Sequence, residues 1–198
     1  MKHLPIYNIV LGEAEGINKM SLVEFPAVED NFLKFADEHQ LQFSIDEEQH
    51  IVFGVALRAD FPIYRYSPIM GEYYVVFSAE TIKELYEKFM IDQNFNNINL
   101  EHYKDTNGVY LLQSFIKNTE AGINPIGFEH IKNGSWFTAY KVENEDVWND
   151  VKSGKFNGFS VEGFFELEEP KQTIANGEPI ANGEPNELED LIDELLSE

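Results

Sequence analysis

The chain has 198 residues, a length that suits one compact domain with a tail, and 43% of them are hydrophobic, enough to build a core. Thirty-six acidic against 14 basic residues give a net charge of -22, which disfavours binding to nucleic acid or an anionic membrane surface. The absence of cysteine excludes disulfides, thiolate nucleophiles and cysteine-ligated metals, and the lack of a long apolar run leads us to expect a soluble intracellular protein.

Segments rich in aromatic and β-branched residues, with turn residues between them, predict strands along most of the chain. The predicted strands are 41–45, 51–57, 73–77, 98–102, 109–117, 136–142 and 159–167. This spacing predicts an α+β, mainly β fold with a strongly bent sheet or barrel.

Two helices are predicted to interrupt the strands and to cover the sheet. Ser78 is a suitable N-cap, and the apolar residues from Ile82 to Met90 recur at helical spacing. Asn144 can cap a shorter second helix that ends at Gly154.

The composition changes at Pro170, so we predict a β-rich domain over residues 1–169 and an acidic tail over 170–198. The tail holds eight acidic residues and one basic residue, and the six letters IANGEP occur twice in succession from Ile174, which is typical of a linker. After Asn186, leucines and an isoleucine at helical spacing predict a short amphipathic helix. That helix either packs loosely at the chain end or binds a partner groove.

Several common enzyme classes are disfavoured by missing motifs. Neither a dinucleotide-binding loop nor a phosphate-binding loop occurs, and the five histidines form no metal-binding motif, so we expect neither cofactor nor metal. The segment from Gly158 to Gly163 approaches the nucleophile elbow G-x-S-x-G, but Glu162 occupies the second glycine position and no histidine follows Ser160. An α/β-hydrolase is therefore excluded.

Ser160 remains a candidate nucleophile on a strand. The period of two places Ser160 and Glu162 on one face, away from the core. The flanking glycines either admit a substrate backbone or mark a bulge. A serine needs a base, and His102, at the predicted end of a strand, is the best placed, with His130 second.

A set of motifs in this order resembles the XkdF-like family of phage serine proteases, which is related to prohead maturation proteases and to herpesvirus assemblin. The motifs are 54–60, 74–78, 99–102, 134–136 and 154–163, with 20–28 as a similar opening segment. The resemblance implies an assemblin-type, barrel-like β fold with flanking helices. By motif match it implies His102 as general base and Ser160 as nucleophile.

The third member of a triad stays open between Glu162, another acid such as Glu101 or Asp105, and none at all. Ser114 is an alternative nucleophile, because its strand follows His102, but it lacks neighbouring glycines.

The resemblance further implies a protease that needs no cofactor and cleaves scaffold and major capsid proteins in the host cytoplasm, inside the assembling procapsid. Self-association and self-cleavage within the tail are expected as well. The rival interpretation is a catalytically silent scaffold or internal capsid assembly protein, and a small-ester hydrolase is a third.

Overall fold

The computed structural model describes residues 4–12, 15–24, 33–34, 49–168, 172–175 and 178–181. Two helices are described, α1 (Ala79–Ile91) and α2 (Glu145–Lys152), with a short 3-10 helix at Asn94–Asn96. The strands are β1 (Ile6–Val10), β2 (Gly16–Val23), β3 (Leu33–Lys34), β4 (Ile51–Leu57), β5 (Ile63–Ser67), β6 (Gly71–Val76), β7 (Ile98–Leu100), β8 (Lys104–Asp105), β9 (Val109–Ile116), β10 (Trp136–Val142), β11 (Gly158–Phe164), β12 (Glu166–Glu168), β13 (Gln172–Ala175) and β14 (Glu178–Ala181).

The strands form three four-stranded sheets and one hairpin. The sheet orders are β12-β1-β6-β5, β3-β4-β10-β9 and β11-β2-β7-β8, and β13 pairs with β14. The predicted mainly β class is confirmed. Within the described ranges the sheets do not close on themselves, so of the two predicted forms, a bent sheet or a barrel, the barrel is wrong.

Both helices begin as their capping residues predict. The Ser78 hydroxyl accepts a hydrogen bond from the Thr81 backbone N–H at 3.0 Å. The Asn144 side chain accepts from two backbone N–H groups in the first turn of α2, and Gly154 has a φ of +82°, which ends that helix as predicted.

The core is one cluster of buried apolar side chains from α1, from the sheet that contains β4 and β10, and from β2 and β7. On α1 the buried apolar side chains are Ile82, Leu85 and Phe89, and the Phe89 ring contacts the ring of Trp136 on β10 edge-on at 5.2 Å. Burial of large aromatic side chains contributes most of the stability of such a core. The helix therefore covers the sheet as predicted.

The predicted strands 51–57 and 136–142 agree with β4 and β10 to the residue. Strand 98–102 is too long by two residues, because Glu101 and His102 adopt left-handed backbone angles after β7. Strands β1, β2 and β5 are absent from the prediction, and 41–45 lies outside the described residues.

Part of the predicted linker is paired, since β13 and β14 form an antiparallel hairpin with Ile174 opposite Pro179. The predicted helix after Asn186 lies outside the described residues. No helix within the described ranges is both long and apolar enough to cross a membrane.

The sheet β11-β2-β7-β8 positions the candidate site. β11 runs antiparallel to β2 with Ser160 opposite Ser21, and β2 runs parallel to β7 with Ser21 beside Asn99. Paired residues on neighbouring strands share a face of the sheet. Three polar side chains therefore lie in one row across three strands.

Candidate active site

Ser21, at the centre of this row, belongs to a hydrogen-bonded cluster around Glu162, two residues after Ser160 on β11. Ser21 Oγ lies 2.6 Å from Asn99 Oδ1 and 3.0 Å from Glu162 Oε1, and Asn99 Nδ2 donates to Glu162 Oε1 at 2.6 Å. The Ser21 and Asn99 side chains are 0% and 1% exposed. A polar cluster this deeply buried is stable only because its groups satisfy one another.

His102 completes the cluster from the turn after β7. Its Nδ1 lies 2.9 Å from Ser21 Oγ and 3.2 Å from Glu162 Oε1, and its side chain is 42% exposed. Glu101 and His102 have φ values of 53° and 63°, a conformation that costs energy for residues other than glycine. This turn directs the imidazole back over the sheet that carries Ser160.

Opposing effects act on the Glu162 carboxyl group. Burial acts to raise its pKa, but hydrogen bonds from Asn99, Ser21 and His102, together with the charge of His102, hold the pKa of Glu162 below its usual range. Glu162 is therefore a carboxylate at neutral pH and only accepts hydrogen bonds.

The negative charge of Glu162 determines which group donates the proton in each hydrogen bond of the cluster. Because the Asn99 amide N–H points to the Glu162 carboxylate, Asn99 Oδ1 must accept from Ser21. Ser21 has one proton, which Asn99 Oδ1 and Glu162 Oε1 share, so Ser21 Oγ can only accept from His102, as the Glu162 carboxylate does. We assign the proton to Nδ1 of His102, which leaves Nε2 unprotonated and available as a base.

A cavity of about 660 Å³ lies next to the cluster. His102, Ser160 and Glu162 line it, together with Arg65 from β5 and the aromatic pair Phe164 and Phe165. Ser160 is 9% exposed, and within the described residues its hydroxyl forms no side-chain hydrogen bond. Ser160 and His102 thus share one cavity wall, while Ser21 and Asn99 lie beneath it.

The structure brings together three of the residues that the sequence analysis named: Ser160, His102 and Glu162. The other candidate acids have different partners, since Glu101 accepts from the Glu24 backbone N–H and Asp105 lies 3.9 Å from Lys19 Nζ.

Ser114 lies on β9, in a different sheet, where its hydroxyl accepts from Trp136 Nε1 at 2.8 Å. It does not line the cavity, and neither does His130. Of the other histidines, His50 stacks on Trp148, and His3 and His39 lie outside the described residues.

Gly163 lies at a bulge, one of the two interpretations of the glycines that flank Ser160. The register between β11 and β2 shifts at Glu162/Gly163, and a Cβ on Gly163 would lie 2.2 Å from the Gly16 carbonyl oxygen. The bulge interpretation is therefore correct, and the glycine lets two backbones approach closely.

The sequence analysis missed Ser21, Asn99 and Arg65 as site residues. Ser21 and Asn99 do lie in segments that resemble the family, but β2 was not predicted. The alternation of Met20, Ser21 and Leu22 is the signal that could have indicated a strand with Ser21 on the face opposite the two apolar residues.

A serine, a histidine and a carboxylate beside one cavity are the residue types that serine hydrolases use, on several unrelated folds. The chain belongs to the family described as "Putative phage serine protease XkdF", whose family model matches residues 38–169, two thirds of the sequence. This membership supports a phage serine protease in general. Neither the curated proteins nor the solved structures contain a match to the chain.

Proposed function

We propose that the chain is a serine endopeptidase of phage head maturation, with Ser160 as nucleophile, His102 as general base and Glu162 as the group that orients His102. The observation that carries the proposal is the contact of His102 Nδ1 with Glu162 Oε1 at 3.2 Å, in a cluster that requires the proton on Nδ1. A base needs this tautomer, because Nε2 must be free to take the serine proton.

In the proposed reaction Nε2 of His102 accepts the proton of Ser160 as Oγ attacks the carbonyl carbon of the scissile peptide. The carbonyl oxygen becomes an oxyanion, which backbone N–H groups near Ser160 stabilise. The imidazolium then gives its proton to the leaving amine, and a water molecule hydrolyses the acyl-enzyme with His102 again as base. Glu162 stabilises the imidazolium throughout.

The contact between Ser160 and Nε2 forms when substrate fills the cavity, since catalytic hydrogen bonds are often long before substrate binds. Ser21 and Asn99 do not touch the substrate in this scheme. They hold the Glu162 carboxylate, and through it the ring of His102.

The proposed substrates are the scaffold and major capsid proteins, cleaved inside the assembling procapsid in the host cytoplasm. The family description supports a phage protease. We also propose the assemblin-type relationship, self-association and self-cleavage in the acidic tail, where the IANGEP repeats begin at Ile174.

Co-expression with the neighbouring scaffold and capsid proteins tests this function, with the intact masses of all partners and of the chain itself as the readout. Cleavage should occur with the wild type and be lost with Ser160→Ala and with His102→Ala. Ser114→Ala tests the alternative nucleophile and should still cleave. Identical mass profiles for the wild type and all variants would overturn the protease and favour the catalytically silent assembly protein.

A further inference from the structure

Arg65 is a cation in the wall of the candidate active-site cavity. It lies on β5, the edge strand of the sheet β12-β1-β6-β5, and lines the cavity that Ser160 and His102 also line. Its Nη1 donates to the neighbouring Tyr64 carbonyl at 3.0 Å, which leaves four further guanidinium N–H donors. A second sheet thus contributes a positive charge to the site on the first.

The charge of Arg65 is not neutralised by the described part of the chain. Burial lowers the pKa of Arg65, but an arginine stays protonated in proteins. No ion pair joins it to a described carboxylate. In contrast, Lys132 pairs with Asp60 at 2.9 Å and Lys155 with Asp150 at 2.6 Å, although both lysines are more than half exposed.

The other charged groups of the cavity do not compensate Arg65. Glu162 is the acid of the cavity wall, and its Oε1 is engaged by Asn99 and His102. A partly buried guanidinium that has no ion pair among the described residues bears a desolvation cost. The cost is offset when a ligand brings a carboxylate, which the planar fork of arginine can bind with two parallel hydrogen bonds.

We propose that Arg65 binds a carboxylate of the substrate peptide, so that the preferred peptide carries an aspartate or glutamate close to the bond that Ser160 cleaves. This inference rests on the proposed function for its cleavage step. A volume of about 660 Å³ has room for the side chains on either side of a scissile bond. Phe164 and Phe165 offer apolar contact to the neighbouring residue of the peptide.

The carboxylate can come from a side chain or from a peptide C-terminus, and the peptide from another protein or from the chain's own tail, which holds eight acids. Peptides with amidated C-termini distinguish a side-chain carboxylate from a C-terminal one. Intact-mass analysis of the chain itself distinguishes another protein from the chain's own tail as the source of the peptide.

Binding is measured first, on the full-length Ser160→Ala protein, with a synthetic library of C-terminally amidated peptides and mass spectrometry of the bound fraction. Aspartate and glutamate should be enriched. Adding Arg65→Ala should weaken the best acidic peptide about 10- to 100-fold, as loss of a charge-assisted hydrogen bond does, and the Asn or Gln form of that peptide should bind as weakly. Adding Lys83→Ala instead, which removes an exposed charge on α1, should change nothing.

Two results would overturn the inference. One is a bound fraction without acidic enrichment, and the other is an equal loss with Lys83→Ala, which would reveal a long-range charge effect only. Arg65→Glu gives a second check, because it should move the preference toward lysine and arginine.

Cleavage of the same library separates this inference from the proposed function. If the wild type cleaves through Ser160 without an acidic preference, the Arg65 inference is wrong and the protease stands. If acidic peptides bind through Arg65 but are not cleaved, the protease is wrong and the carboxylate site stands. If the amidated peptides do not bind, and the same peptides synthesised with free C-termini bind through Arg65, the side-chain preference is wrong.

Discussion

Ser21 and Ser160 face each other as paired residues of β2 and β11, yet Ser21 is completely buried and Ser160 borders the cavity. Ser21 is the serine within 2.9 Å of His102, at Nδ1. Because a substrate cannot reach a side chain with 0% exposure, nearness to histidine does not make Ser21 the nucleophile. In the proposed mechanism Ser160 supplies the reacting hydroxyl, and Ser21 supports Glu162.

Alanine substitution should therefore mainly affect the cleavage rate at Ser160 and mainly affect the stability of the fold at Ser21. Ser160→Ala should abolish cleavage, by about a million-fold in kcat if it behaves like a known serine protease, with the thermal midpoint almost unchanged. Ser21→Ala should lower the free energy of unfolding by about 1 to 3 kcal/mol, because it removes a buried partner of Asn99 and Glu162, and should keep part of the activity. Peptide cleavage rates and urea unfolding of both variants measure these effects. A stable, fully active Ser160→Ala protein would exclude Ser160 as the nucleophile.

Glu162→Gln should slow peptide cleavage, although a side chain of the same shape still occupies the position of Glu162. The amide retains the shape of the carboxylate but can no longer stabilise a charged His102, so kcat should fall by about 100- to 10,000-fold. The matched control is Glu166→Gln, an exposed residue on β12, which should cleave like the wild type. Equal rates for both variants would remove Glu162 from the mechanism.

Glu162 should also make the fold sensitive to acid. Since the folded-state pKa of Glu162 is below its usual range, its carboxylate stabilises the fold above the unfolded pKa, and this stabilisation is lost as the pH falls through the folded pKa. The wild type should thus lose more stability between about pH 7 and pH 3 than Glu162→Gln does. Urea unfolding across that range measures the difference, and parallel curves would contradict the prediction.

Lys117 should be a structural cation. Its side chain is 2% exposed, and its ammonium donates to the carbonyls of Phe128, Glu129 and Ile131 at 2.6 to 3.2 Å, which ties the loop before β10 to β9. Burial lowers its pKa. Lys117→Met retains the volume but leaves three carbonyls without their donor, and should cost about 2 to 4 kcal/mol of unfolding free energy.

The control for Lys117 is Lys83→Met on α1, where the side chain is 67% exposed and the cost should be below about 0.5 kcal/mol. Chemical denaturation of the two variants decides the matter. A Lys117→Met protein as stable as the control would mean that water replaces the ammonium.

Gly163→Ala should distort the strand pair next to Ser160. The new methyl group would lie 2.2 Å from the Gly16 carbonyl oxygen, so one backbone must move, at a cost of about 2 kcal/mol or more. Gly12→Ala is a suitable control, because its methyl group would meet only the flexible end of Glu15. Thermal unfolding compares the two, and equal midpoints would show that β2 and β11 separate easily.

Local patterns predicted the parts of the fold that depend on local physics. Ser78 and Asn144 accept the hydrogen bonds that begin α1 and α2, and β4 and β10 are nearly continuous apolar segments bounded by turns. β2 escaped prediction, because its first half mixes polar and apolar residues and its role becomes visible only when β7 and β11 pair with it. The prediction left a bent sheet and a barrel open, because spacing along the chain does not determine whether strands close or divide into separate sheets.

The sequence by itself determined the mainly β class, the two capped helices, the acidic charge and the family, and it named Ser160, His102 and Glu162 as candidates. Only the tertiary structure decided that Glu162 contacts His102, that Ser114 lies in another sheet, and that Arg65 enters the same cavity. The physical reason is the separation along the chain over which each interaction acts. Caps and hydrophobic periods act over a few residues, whereas the contact between Ser21 and Glu162 joins positions 141 residues apart and exists only through strand pairing.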